Sequence, residues 1–178
     1  MSFGLLLLRV VVGALFVGHG TQKLFGWFGG HGPDGTGSFL DSLDYREGRT
    51  MAVVTGTVEA ASGALLVLGF LTPFAAAGIL GVMLNAAVAA HAPNGLWNSE
   101  GGYELPLVNA TAAVALAFTG PGAASLDNAF GFGLEGGIWG TITLVTGLGA
   151  GAAVLAAGRE AEPVEVEAEE ERARDEPA

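Results

Sequence analysis

Between Phe3 and Gly158 the chain repeats one pattern five times: an apolar run near the thickness of a bilayer, then a polar or glycine-rich turn. A helix needs about 20 apolar residues to cross a hydrocarbon core of about 30 Å. The runs are Phe3 to Gly30, Met51 to Leu71, Phe74 to Ala92, Leu105 to Thr119 and Ile138 to Ala157. The fourth is short and reaches spanning length only with Tyr103 and Glu104 at the interface. Buried helices of soluble domains rarely run this long without a polar face. The expected fold is all-α: a polytopic transmembrane helical bundle.

The charge distribution agrees. Only 14% of residues are charged, against about 25% in a soluble domain. Arg159 to Ala178 alone holds nine of the 18 acidic residues, with three of the seven basic ones. The low pI is therefore partly that of a tail, which is too polar to bury a core and reads as disordered. The chain has no cysteine, which excludes disulfides, thiol redox chemistry and thiolate-held zinc or iron–sulfur clusters within it. No basic patch is dense enough for nucleic acid. The N-terminus lacks the basic n-region and cleavage site of a signal peptide, so a retained membrane helix is expected.

Alternating spans place the polar chemistry. With the N-terminus on side A, the turns after the first and third runs fall on side B. His19, Gln22, Lys23, His31, His91, Trp97, Asn98, Glu100, Tyr103 and Glu104 are all expected on or near side B. Side A receives Thr72, Pro73 and the Ser125–Gly137 connector with Asp127 and Glu135. Leu71-Thr72-Pro73 joins runs two and three tightly, so these two form an antiparallel hairpin. The lysine and arginine bias makes side B cytoplasmic. In the fifth run, Gly147 and Gly151 allow close helix contact.

Ionisable residues inside spans cost about 2.5–3.5 kcal/mol each at the helix centre. On the first helix Arg9, Gly13, Phe16, Gly20 and Lys23 share one face. Glu59 lies near the middle of the second run. A structural ion pair Arg9–Glu59 is expected, with Lys23 or His19 as the other candidate partner of Glu59. Such a pair fixes helix register; intramembrane charge is also where proton or substrate handling resides.

A second cluster lies at the side-B mouth. Here Lys23 is a cation, Glu100 and Glu104 are acceptors, and Trp27 and Trp97 are apolar walls. His19, Gln22, Asn98 and Tyr103 complete the candidate pocket, which suits the head of a quinone or another amphipathic small molecule. The aromatic residues also fit an interfacial belt. His19 and His91 lie at comparable depth, but a lone histidine pair is a thin basis for haem, and no metal is assigned. No nucleophile constellation is present.

LLLRVVVGALFVGHGTQKLFGWFGG, VEAASGALLVLGFLTPFAAAGILGVMLNAAVAAH and NGLWNSEGGYELPLVNATAAVALAFTGPGAASLDNAFG together resemble the DoxX family of small bacterial membrane proteins, over Gly4 to Gly131. The resemblance implies a four-helix membrane domain over 1–131, here followed by a connector and fifth transmembrane helix over 132–158 and the acidic tail over 159–178. Arg9, His19, Gly20, Lys23, Glu59, Gly63, Asn98, Glu100, Gly101, Gly102 and Tyr103 fall on the family's recurring motif positions. It implies a bacterial plasma-membrane location, with redox or sulfur-transfer protein partners. One branch of the family is a subunit of a thiosulfate–quinone oxidoreductase, which points to quinone or small sulfur compounds. The alternative is a non-enzymatic membrane scaffold or a carrier for a small solute or lipid.

Overall fold

The computed structural model describes residues 2–159. The expected disordered tail lies outside them from Glu160 onward. The helices are α1 (Ser2–Phe25), α2 (Gly32–Asp41), α3 (Gly48–Leu68), α4 (Thr72–Asn85), α5 (Glu104–Thr119), α6 (Leu126–Ala129) and α7 (Gly137–Gly158). A π-helical turn, Ala86–His91, extends α4 toward side B. Among the described residues, four helical stretches are long and apolar enough to cross a membrane: Phe3–Phe25, Gly48–Leu68, Thr72–Asn94 and Gly137–Gly158. Helix α5, at 16 residues, is about 24 Å long and is shorter than these four stretches. The protein is a multi-pass, all-α membrane bundle.

Glycine sets the first seam. Helices α1 and α3 run antiparallel, with Gly13 against the Gly63 carbonyl and Gly20 against Gly56 and Ala60. A Cβ at Gly13, Gly20 or Gly63 would overlap the opposite backbone. Without a hydrophobic driving force between helices in lipid, such close approach is what yields dispersion contact. The buried face of α1 carries Arg9, Val12, Phe16 and Thr21, which is the face the helical period selects.

The next turn is tight. Gly69 and Leu71 both adopt left-handed backbone conformations, with φ of 61° and 49°. Pro73 then sits in the first turn of α4, where its missing N–H costs nothing. Helix α4 is the central element. Its Ala75, Ala76, Ile79 and Met83 meet Val12 and Phe16 of α1, Leu66 of α3, and Ala113, Leu116 and Ala117 of α5 in one core.

Helix α7 runs parallel to α4 on its outer side. Gly147 and Gly151 lie against the Ala77 and Gly81 carbonyls, the close contact expected of that glycine pair. Two buried hydrogen bonds lock the seam: Thr143 Oγ1 donates to the Pro73 carbonyl (3.0 Å) and Asn85 Nδ2 to the Gly151 carbonyl (3.0 Å). A buried polar group in a membrane needs such partners.

On side A, α6 is held by Asp127, which is 2% exposed. Its carboxylate accepts from the Leu71 N–H (2.7 Å), the Thr72 N–H (3.0 Å) and the Thr72 hydroxyl (2.7 Å). It thus caps the otherwise orphaned N-terminus of α4 from across the bundle. Phe130 and Phe132 of the connector pack on Phe70, each with ring centroids 6.2 Å apart.

Candidate binding site

The seam between α1 and α3 decides which charges meet. Gly13 opposite Gly63 puts Arg9 level with Gly69, whose Cα lies against the guanidinium. Gly69 is ten residues from Glu59, about 15 Å along the helix. The expected Arg9–Glu59 pair is therefore not formed. Glu59 instead receives Lys23, with Nζ to Oε1 at 2.5 Å. Glu59 is 3% exposed and Lys23 28%. The second oxygen, Oε2, is buried without a hydrogen-bond partner among the described residues. Arg9 is buried at the other end of α1, with Nε and Nη1 likewise unpartnered. The carboxylate acting on it electrostatically is Asp127.

Lys23 lines a cavity of about 210 Å³ at side B. Helix α2 and its following turn lie across the side-B end through Thr36, Phe39, Leu40 and Leu43; Ala86, Ala89, Ala90 and His91 of the π turn form another wall. π turns are frequent at functional sites, and this one continues α4 into the cavity wall.

Tyr45 and Asn85 also line the cavity. Tyr45 donates its hydroxyl to Asn85 Oδ1 at 2.9 Å, and the Asn85 amide donates to the Gly81 and Gly151 carbonyls. Tyr45 is held from above by the end of α7. The Arg46 N–H donates to the Gly158 carbonyl (2.7 Å), Arg159 Nε donates to the Leu43 carbonyl (3.0 Å), and the Arg159 guanidinium lies 6.0 Å from the Tyr45 ring centroid. Burial raises the Tyr45 phenol above its ordinary pKa, opposed by the Arg159 charge.

Of the nine residues expected to form the pocket, this cavity takes only Lys23. His19 is exposed, with its Nδ1 3.1 Å from Gln22 Oε1, and Gln22 reaches back to the Phe28 carbonyl at 3.4 Å. Trp27 is exposed and rests against Phe25. Trp97, Asn98, Glu100, Tyr103 and Glu104 belong to a loop that folds on itself. The Asn98 N–H donates to Glu104 Oε2 (2.9 Å), the Tyr103 N–H to the Gly95 carbonyl and the Gly102 N–H to the Trp97 carbonyl. The His91 ring anchors this loop at the Gly101 carbonyl, 2.7 Å away. Among the described residues no hydrogen bond or ion pair joins Lys23 to Glu100 or Glu104. The loop seals its own backbone, while Lys23 turns inward to the one carboxylate on α3.

Tyr45 and Asn85 are the residues that sequence reasoning missed as site members. Asn85 left a signal, as a lone amide inside an apolar run. Tyr45 left none, since only the docking of α7 carries it into the bundle.

A membrane bundle with a mainly apolar cavity, edged by a few polar side chains and lying beneath a short covering helix, is the class this geometry defines. The chain belongs to the DoxX family: the family's model matches residues 4–92. That range runs from α1 through the π turn, and so includes both Lys23 and Glu59. No curated protein and no solved structure matches the chain.

Proposed function

We propose that this protein is a subunit of a redox complex in the bacterial plasma membrane and holds the head of a quinone, or a small sulfur compound, in the side-B cavity. The carrying observation is the cavity itself, which is lined by Lys23, the ion-pair partner of Glu59, and by the hydrogen-bonded Tyr45 and Asn85. At about 210 Å³ it is smaller than the roughly 300–1,000 Å³ of drug-sized sites, which suits one ring and not a whole tailed molecule. Lys23, partly exposed, donates to a carbonyl oxygen of the head, and its contact with Glu59 orients the ammonium. Reduction of a quinone head to the quinol takes two electrons and two protons; the electrons come from a redox partner and the protons from side-B solvent. Side B is the cytoplasmic side in this reading.

The test is binding of quinone analogues to the protein in nanodiscs. Wild type binds, and the double variant Lys23→Met/Glu59→Gln, which removes both charges together, binds at least about tenfold more weakly while remaining folded. A wild type that binds no analogue, together with unchanged quinone-linked respiration on deletion across sulfur donors, sinks the reading. The second reading, a scaffold or lipid carrier without redox chemistry, draws on an aliphatic groove beside the cavity, which accommodates an acyl chain as well as an isoprenoid one.

A further inference from the structure

A second hollow of about 340 Å³ adjoins the cavity. It runs over α4 between α3 and α7, and shares Met51, Thr55, Val82, Asn85 and Val154 with the cavity. From Asn85 to Phe74 it follows α4 for eleven residues, about 16 Å. Its lining is almost wholly aliphatic or aromatic. Its rim faces outward: Val54 and Phe74 are 46% and 53% exposed, toward the hydrocarbon.

Three observations bear on how the cavity fills. Helix α2 and its turn lie across the side-B end, clasped to Gly158 and Arg159. The lateral side, by contrast, is open along the groove. Asn85, with its amide and carbonyl both hydrogen-bonded, stands rigidly where groove and cavity meet. We infer that the groove is a lateral port: the ligand enters from the bilayer, and its isoprenoid tail stays in the α3–α4–α7 groove while the head occupies the side-B cavity. This rests on the proposed quinone reading and adds the route and the tail site. Helix α7 forms one wall and lies outside the matched residues 4–92, so the fifth span completes the port in this chain.

The experiment compares two probes in nanodiscs, a tail-free dimethoxy-methylbenzoquinone and its decyl-tailed form. Ala150 lines the groove from the exposed side of α7, so Ala150→Phe fills the groove. Ala152→Phe, also exposed on α7 but about 200° away around the helix, is the control. The expected result is a loss of about tenfold or more for the tailed probe in Ala150→Phe, with the tail-free probe unchanged and Ala152→Phe like wild type. The lateral port is overturned if Ala150→Phe leaves the tailed probe unaffected. It is overturned equally if the tail adds nothing to wild-type binding, or if both probes weaken alike. If wild type binds neither probe, the quinone reading falls and takes the port with it, an outcome distinct from loss of the tail effect alone.

Discussion

Removing the two members of the Lys23–Glu59 pair has unequal consequences. Lys23→Met leaves a carboxylate that is 3% exposed, with one oxygen already lacking a hydrogen-bond partner. Breaking a buried pair so that a charge is stranded costs about 3–5 kcal/mol. Glu59→Gln leaves an ammonium that is 28% exposed and lines a cavity, where water or headgroups reach it. That variant loses one charge-assisted hydrogen bond, about 1.5–3 kcal/mol. The double variant strands nothing and lies closer to wild type than the sum of the two single losses, because neighbouring sites that share one interaction are not additive. Reversible unfolding in mixed SDS micelles measures all three. The reasoning is refuted if Glu59→Gln is the more damaging single change, or if the double variant equals the sum.

Three further outcomes follow from the packing. Gly20→Ala forces a Cβ into the Gly56 carbonyl and Ala60 and costs about 1–3 kcal/mol as overpacking, whereas Gly4→Ala, with open space around it, is silent in the same unfolding assay. Asp127→Ala uncaps α4 and removes the carboxylate charge that acts on Arg9; it lowers stability by about 1–3 kcal/mol, more than loss of a solvent-exposed cap, and a thermal melt reads it. Tyr45 binds its proton more tightly in the folded protein than in the unfolded chain, so its stabilising contribution is complete below the ordinary phenol pKa of about 10 and falls as pH rises above it. The difference absorbance between wild type and Tyr45→Phe shows that phenol ionising above pH 10, and the stability gap between the two proteins shrinks over the same range.

The apolar runs alone determine that this chain forms a membrane bundle. Backbone groups in hydrocarbon must satisfy one another, so long apolar segments have little choice but helix. Short turns then fix which ends share a side, and the polar residues of side B were legible for that reason. The glycine pair in the fifth run likewise announced a close helix contact.

The partners of the charges were not legible. A helical period places Arg9 and Lys23 on one face of α1 but leaves open the longitudinal register against α3, and both cations remain candidates for Glu59. The seam of Gly13 and Gly20 against Gly56, Ala60 and Gly63 sets that register, carrying Lys23 to Glu59 and Arg9 to the end where Asp127 lies. Nor can a local pattern show that the Trp97–Glu104 loop spends its polar groups on its own backbone, or that α7 brings Tyr45 to Asn85 across forty residues of chain. What the sequence by itself determined is the kind of solvent and which helix ends share a side, because these depend on composition and order. The pairing of charges and the walls of the cavity were decided by tertiary structure, because they depend on how far one helix slides along another.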